Sequence, residues 1–214
     1  MGIKVLFVYP NTFGMNILPP AIAIFSSVLK TRGHRVELFD STYYQTDFGI
    51  DSDGTKSERL NVVPYSIEKH GIRLRESDWR EDIKAHAESY EPDLIALSTT
   101  EDMWPLGTKL LEELESYIYR YQVPVIAGGV FPTFAPQLAV KHHLIDMVCV
   151  GEGENTLIDL CDRIKKGDSW NDVTNLWVKQ KNGTIIKNSV SNPYNINDTP
   201  IIDISLFEAK RLER

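Results

Sequence analysis

Cysteine is scarce in this sequence, because its 214 residues contain only Cys149 and Cys161. Two thiols cannot build a disulfide framework, and they cannot supply the three or four ligands of a typical iron–sulfur or structural zinc site. We therefore expect no metal-ligating set of this kind in the chain.

Long apolar runs and an excess of basic residues are also missing. No stretch approaches the roughly 18 apolar residues of a membrane span, and residues 1–6 enter a strand-like run without the features of a signal peptide. The net charge of −7 argues against a nucleic-acid partner and against a polybasic membrane-surface mode. We expect a cytoplasmic protein with neither a nucleic-acid nor a membrane partner.

Short β-branched runs alternate with stretches of helical periodicity along most of the chain. Five strands are predicted at residues 3–9, 35–39, 93–98, 123–127 and 146–150, and helices at 20–32, 77–90, 105–120, 136–143 and 154–166. Nearly continuous apolar strands in β-α repeats indicate an α/β, flavodoxin-like (Rossmann-like) fold. Its sheet should be doubly wound, parallel and five-stranded, in the order 2-1-3-4-5.

Segments outside the repeat define the domain organisation. Residues 1–168 should form the α/β domain, with an insertion at 40–76 that is too long for an ordinary βα connection and is either functional or mobile. Asn182-Gly183 between alternating residues predicts a C-terminal β-hairpin extension over 169–190. The polar, proline-containing composition of 191–214 is typical of a linker.

Ligands of an open parallel sheet bind beyond the carboxyl ends of its strands, where the strand order reverses. The loops expected there are rich in glycine, proline, hydroxyl and amide groups, at residues 10–19, 99–104, 128–133 and 151–155. Glycines at 128 and 129 would let a backbone approach a ligand closely. A local role stays open for each cluster: a turn, strand-end capping or a helix start.

Several familiar phosphate and nucleotide sites are excluded because their motifs are missing from the sequence. Residues 9–14 contain a single glycine, Gly14, whereas a dinucleotide fold needs a glycine-rich turn there. A Gly-Lys-Ser or Gly-Lys-Thr phosphate loop is absent from the sequence. The acidic pair of a phosphoryl-receiver domain is absent as well.

The spacing of the polar clusters resembles a known signature. Ser98-x-Thr100, followed by 27 residues and then Gly128-Gly129, is similar to the Ser-x-Leu and Gly-Gly elements of cobalamin-binding domains. In that family these residues line the slot for the nucleotide tail of the cofactor. The family's Asp-x-His-x-x-Gly element aligns with residues 9–14, where Asn11 stands in place of the cobalt-ligating histidine.

One branch of the family is especially similar, namely the N-terminal domain of cobalamin-dependent radical S-adenosylmethionine proteins. The likeness includes the Tyr-Pro-Asn loop, residues 18–20, 128–133 and 146–154, and the segment 199–207. It implies cobalamin bound with its base displaced from cobalt and no histidine in its place. S-adenosylmethionine and a [4Fe-4S] cluster would belong to an absent C-terminal radical domain of the same polypeptide, because the Cys-x-x-x-Cys-x-x-Cys motif is missing here.

The resemblance also implies the residues that contact the cofactor. Asn11 and Thr12 should lie near the lower face of cobalt. The slot for the tail should involve Ser98, Thr99, Thr100, Gly128, Gly129, Val130, Phe131, Pro132 and Thr133, with Gly151, Glu152 and Gly153 at its nucleotide end. Met103 and Trp104 are placed to cover a corrin face, with core packing as the alternative for each.

The histidines are expected to lie away from this site, with one exception. His34, His142 and His143 should be surface residues at the amino ends of strands, and His86 should be structural. His70 belongs to the insertion on the cofactor side and is a candidate ligand. Two other functions remain open: a docking module without cofactor, and a binding module for another small ligand such as a nucleotide or flavin.

Overall fold

A mostly parallel sheet is the centre of the fold in the computed structural model, which describes residues 2–12, 18–46, 69, 71 and 73–212. Its strands are β1 (Lys4–Tyr9), β2 (Arg35–Asp40), β3 (Leu94–Ser98), β4 (Val125–Gly128), β5 (Met147–Cys149), β6 (Leu176–Lys179) and β7 (Ile185–Lys187). Their order is β2-β1-β3-β4-β5-β6-β7. The first five are parallel, as predicted.

The sheet has seven strands rather than the predicted five, because the C-terminal hairpin joins it. Strand β6 pairs antiparallel with β5, and β7 pairs antiparallel with β6. Leu176 and Val178 alternate with less buried neighbours and reach the core, which explains why the hairpin adds to the open edge of β5.

Helices cover both faces of the sheet. They are α1 (Pro20–Thr31), α2 (Trp79–Tyr90), α3 (Trp104–Glu113), α4 (Glu115–Tyr121), α5 (Val130–Phe134), α6 (Pro136–Ala139) and α7 (Glu154–Lys166). The segment predicted as one helix at 105–120 is divided at Leu114, and the helix predicted at 136–143 ends at Ala139. Helix α2 is capped by Asp78 rather than Ser77, because the Asp78 side chain accepts a hydrogen bond from the backbone of Arg80.

The core divides into two layers, as a doubly wound sheet requires. On one face Trp79, Ile83 and Leu110 of α2 and α3 pack on the strands. On the other face Ile22 of α1 and Leu160 of α7 do so. No helix within the described residues is long and apolar enough to span a bilayer.

His34 is buried, so the prediction of a surface position is wrong. Its ring Nδ1 accepts a hydrogen bond from the backbone N–H of Ile3 at 3.3 Å. Burial lowers the pKa of His34, which therefore favours the neutral ring that can accept this bond.

The segment after β7 returns across the carboxyl edge of the sheet and along α1. The backbone N–H of Tyr194 donates to the carboxylate of Glu152. Further along, the Ser27 hydroxyl donates to the carbonyl of Ile201 at 2.6 Å, and Lys30 forms an ion pair with Asp203 at 2.5 Å. Residues 194–203, a part of the chain whose composition is typical of a linker, are therefore anchored to the domain.

Candidate functional site

The carboxyl ends of β3 and β4 meet at a glycine that no other residue can replace. Ser98 pairs with Gly128, and the backbone N–H of Thr99 donates to the carbonyl of Gly128 at 3.1 Å. Gly129 has φ 100° and ψ −169°, a region open essentially to glycine alone. A Cβ on Gly129 would lie 2.6 Å from the carbonyl oxygen of Thr99, whereas one on Gly128 would make only an ordinary contact with Cys149 at 3.7 Å.

The three neighbouring hydroxyl groups differ in what they offer a ligand. Thr99 is buried, and its hydroxyl donates to the carbonyl of Thr100 at 2.9 Å, which is a strand-end role. Ser98 is half-buried, and its hydroxyl makes no hydrogen bond in the described part of the chain. Thr100 is exposed. Ser98 and Thr100 are therefore the two hydroxyls that face no competing protein partner.

Helix α5 starts directly after Gly129 and brings the next two loops together. The hydroxyl of Thr133 accepts a hydrogen bond from the backbone N–H of Gly151 at 3.2 Å. Val130 is 59% exposed, Pro132 is buried, and the ring of Phe131 packs 4.8 Å from that of Trp104. The predicted loops at 128–133 and 151–153 thus share one edge of the molecule.

The Gly151-Glu152-Gly153 loop is fixed by hydrogen bonds from residues that the sequence does not single out. The side-chain amide of Asn175 donates to the carbonyl of Glu152 at 2.8 Å, and the backbone of Tyr194 donates to its carboxylate. Gly151 has φ 95°, and a Cβ on Gly153 would lie 2.9 Å from the ring of Phe25. Both glycines are therefore required by the backbone or by close packing.

Glu154 opens α7 beside this loop and has an unsatisfied oxygen. Its Oε2 is buried and has no hydrogen-bond partner within the residues that the structure describes. A buried carboxylate oxygen without a donor is costly. The structure therefore leaves one carboxylate oxygen unsatisfied beside the Gly151–Gly153 loop.

The loop after β1 is buried at its first residues instead of being open to solvent. Asn11 and Thr12 are each 2% exposed, and the side-chain amide of Asn11 donates to the hydroxyl of Thr42 at 2.9 Å. Burial and the nearby Asp40 carboxylate raise the pKa of Tyr9, so its phenol stays neutral. Gly14, the remaining family residue of this loop, lies outside the described residues.

Met103 and Trp104 pack inside the domain. Met103 is buried, and Trp104 is half-buried between the ring of Phe131 and that of His142, at 4.8 and 6.3 Å. These contacts are the ones expected if Met103 and Trp104 serve core packing. That the two side chains also cover a corrin face stays a prediction.

The other potential metal ligands lie elsewhere. His143 is exposed and His142 half-buried before β5, while His86 approaches Glu37 at 2.6 Å. His70 is outside the described residues. Across the described ranges no group of three or more metal-ligating side chains occurs.

The two thiols are unreactive. Both cysteines are buried and unpaired with each other. Burial raises the pKa of Cys149 to about 12 and also raises that of Cys161. Neither side chain is therefore a nucleophile or a metal ligand near neutral pH.

The fold is of the α/β class, whose members bind ligands beyond the carboxyl ends of their parallel strands. Residues 60–160 match the family model described as "B12 binding domain". This match spans β3, β4, β5 and the loops at 98–104, 128–133 and 151–155, and it does not include the first loop with Asn11 and Thr12.

Two curated relatives share part of the sequence. The chain is 29% identical over 119 residues to 4'-phospho-dehydrooxetanocin synthase of Priestia megaterium, covering 53% of this chain and 16% of that protein. It is 28% identical over 150 residues to the uncharacterized methyltransferase PH0819 of Pyrococcus horikoshii, covering 65% and 31%. The chain thus spans less than a third of either relative.

Solved structures share the fold. The cobalamin-dependent S-adenosylmethionine radical enzyme OxsB, with aqua-cobalamin and S-adenosylmethionine bound, has a TM-score of 0.70 at 19% identity, covering 95% of this chain and 24% of that one. The radical S-adenosylmethionine methyltransferase TsrM from Kitasatospora setae, with cobalamin and a [4Fe-4S] cluster bound, has a TM-score of 0.62 at 19% identity, covering 94% and 31%.

These comparisons confirm the resemblance predicted from the sequence. The sequence of residues 60–160 is similar to the B12 binding domain family, and the fold of the chain is similar to that found in cobalamin-dependent radical S-adenosylmethionine enzymes.

Proposed function

We propose that the chain binds cobalamin at the carboxyl edge of β3, β4 and β5, as the cofactor domain of a cobalamin-dependent radical S-adenosylmethionine enzyme. The observation that carries this proposal is the junction of β3 and β4, where Gly129 lies against the backbone of Thr99 and the Ser98 hydroxyl has no hydrogen-bond partner among the described residues. This arrangement leaves backbone and one hydroxyl available to a ligand, at the positions that align with the family signature.

The residues of the chain would hold the cofactor by hydrogen bonds and shape. The Ser98 hydroxyl would bond a polar group of the tail, and Gly128 and Gly129 would leave room for it. Thr133 fixes the loop at Gly151, which would bound the far end. Bound cobalamin supplies a cobalt centre that can accept and release a methyl group.

The absence of a histidine at position 11 supports a base-off cofactor without a protein ligand. An amide is a poor donor to cobalt compared with a neutral imidazole. Asn11 also directs its amide nitrogen to Thr42, 2.9 Å away. We infer that Asn11 shapes the space beneath cobalt instead of coordinating the metal.

Turnover would need a partner domain in the same polypeptide. The chain lacks a three-cysteine cluster motif, and its relatives are three to six times longer than the matched region. We propose that S-adenosylmethionine and the [4Fe-4S] cluster belong to that radical domain. The reaction would be methyl transfer or related radical chemistry, and the chain alone would bind cofactor without turnover.

A binding experiment separates this proposal from its alternatives. The purified chain is mixed with hydroxocobalamin, desalted, and examined by visible absorption, with thermal shifts against cobalamin, flavin mononucleotide and S-adenosylmethionine in parallel. We expect a stoichiometric retained cobalamin chromophore and a shift with cobalamin alone. Stabilisation by the flavin alone would indicate a different small-ligand module, and no retained ligand would indicate a docking module.

The insertion at 40–76 is proposed to close over the corrin together with the Met103–Trp104 loop. Its two ends lie together, because the backbone N–H of Arg75 donates to the carbonyl of Tyr43 at 2.7 Å. Residues 47–72 can therefore be replaced by a short glycine-serine bridge without separating β2 from α2. Weaker cobalamin binding or faster exchange of added cobalt ligands is expected, and unchanged affinity and exchange would contradict the idea.

A further inference from the structure

An arginine of the C-terminal segment is inserted into the carboxyl edge of the sheet. Arg211 belongs to a short 3-10 turn, Ala209–Arg211, and its side chain is only 1% exposed. It forms an ion pair with Asp40, the last residue of β2. A buried guanidinium requires such a partner, because removing the charge from water is costly. The contact therefore fixes the end of the described segment to β2.

One hydroxyl group connects this arginine to the first loop. Thr42 Oγ1 accepts hydrogen bonds from Nη1 of Arg211 at 3.1 Å and from Nδ2 of Asn11 at 2.9 Å, and it donates to the carboxylate of Asp40. A hydroxyl has one donor and two acceptor positions. All three are used, so the orientation of the Thr42 hydroxyl is fixed by Arg211 and Asp40 together.

The backbone of Asn11 is held separately from its side chain. Its N–H donates to the Ser41 hydroxyl at 2.8 Å, and that hydroxyl donates to the carbonyl of Asn11 at 2.8 Å. A change at Arg211 would therefore leave the loop backbone in place, while the Thr42 hydroxyl that bonds the side-chain amide loses one of its three partners.

We propose that Arg211 is a positioning residue, which acts through Thr42 to hold the Asn11 amide at the carboxyl end of β1. This inference rests on the proposed function, because Asn11 matters to cobalamin only if cobalamin binds there. If Arg211 has this role, residues 204–211 must be docked on the domain for the Asn11 side chain to be ordered.

The contact itself is tested in the cofactor-free chain by NMR of the Asn11 side-chain amide. We expect Arg211→Gln and Thr42→Val to shift these two resonances from their wild-type positions, because each changes the hydrogen bond between Thr42 and the amide. Thr42→Val keeps the Arg211–Asp40 pair, so it provides the test even if Arg211→Gln fails to fold. Arg75→Gln is the matched control, because Arg75 pairs with Glu208 of the same segment and otherwise contacts Tyr43 and Tyr44 among the described residues.

The consequence for the cofactor is tested by titration with hydroxocobalamin. Arg211→Gln and Thr42→Val should each raise Kd about fivefold, as expected for one lost hydrogen bond, and alter the visible spectrum of the bound cofactor. The double variant should bind no more weakly than either single variant, because both interrupt the same chain of bonds. Arg75→Gln should bind like the wild type.

The outcomes distinguish the two proposals. Unchanged Asn11 resonances in Arg211→Gln and Thr42→Val would overturn the positioning role, and so would an equal effect of Arg75→Gln. A wild-type chain that retains no cobalamin would overturn the proposed function and with it the effect on the cofactor. The Asn11 resonances would then still decide whether Arg211 positions the amide.

Discussion

At the scale of single residues, the two glycines after β4 have different roles. Gly129 combines a backbone conformation reserved for glycine with a contact on Thr99 that leaves no space for a Cβ. Gly167, which ends α7, also has a positive φ of 72°, but nothing lies within 4 Å of its Cβ position. Comparing the two glycines therefore separates the cost of a steric clash with a Cβ from the cost of a left-handed backbone.

Substituting alanine at these two positions measures that difference. Gly167→Ala should lower the free energy of unfolding by about 1 kcal/mol, the cost of a left-handed alanine. Gly129→Ala should cost roughly 2–4 kcal/mol, because the β3 and β4 ends must also separate, and it should abolish retention of cobalamin. Urea unfolding and desalting with hydroxocobalamin check both. Equal destabilisation by the two substitutions would contradict the argument from Gly129.

Sequence reasoning reached the candidate residues but not their orientation. The spacing from Ser98 to Gly129 predicted that the two residues lie close together. Ser98 ends β3 and Gly129 follows β4, and the carboxyl ends of these parallel neighbours lie at the same edge of the sheet. That Thr99 bonds its own backbone neighbour, while Ser98 stays unpartnered, depends on local side-chain geometry. Glu152 accepts hydrogen bonds from Asn175 and Tyr194, which are 23 and 42 residues away in the sequence. No motif marks either of these residues.

At the scale of secondary-structure elements, the segment after the hairpin is held to α1 by an acidic anchor. Asp203 accepts hydrogen bonds from Lys30 and from the Ser26 hydroxyl at 2.5 and 2.6 Å. Partial burial acts to raise the pKa of this carboxyl, but the bonds from Lys30, Ser205 and Ser26 outweigh it and lower the pKa to about 2. The charged form of Asp203 is thus the one that the folded protein favours.

This depressed pKa predicts a loss of the anchor in acid. The contribution of Asp203 to stability should be complete above its ordinary pKa near 4 and should fall as the pH decreases toward 2, because protonation then opposes folding. The difference in unfolding free energy between the wild type and Asp203→Asn should shrink over that range. Asp198→Asn is the control, since within the described residues Asp198 forms no ion pair. A difference that is constant with pH would argue against the anchor.

The elements were largely predictable because they depend on local periodicity and capping. The hairpin was predicted from Asn182-Gly183, but its pairing with β5 was not, since a turn specifies its own two strands and not their neighbour. The anchoring of the polar C-terminal segment also escaped prediction. Lys30 and Asp203 are 173 residues apart, and composition alone indicated only a linker.

At the scale of the whole molecule, the hairpin contributes to the same core as the parallel strands. Val173, Leu176 and Val178 are at most 2% exposed and belong to the layer beneath α1 and α7. The backbone of β5 also has β6 as its partner on one side. The predicted division at residue 168 therefore falls within a shared hydrophobic layer.

Two truncations test how far the core extends. A chain of residues 1–168 should lose about 5 kcal/mol or more, because three buried apolar side chains are removed at roughly 1.5–3 kcal/mol each. That loss is comparable to the total stability of many domains. A chain of residues 1–190 should stay folded, since it retains the hairpin. Circular dichroism with thermal unfolding compares them, and equal melting temperatures would show that the hairpin is dispensable.

The short seventh strand has a consequence for how copies of the protein behave together. An unpaired strand edge is a template on which other chains can add, and long apolar edges promote aggregation. β7 offers only three residues, ends at Lys187, and is followed by Asn188, whose amide folds back to the carbonyl of Leu176 at 2.9 Å. The sheet therefore ends on this side at an edge too short to be extended readily, and concentrated solutions of the chain should resist growth into fibres from this side.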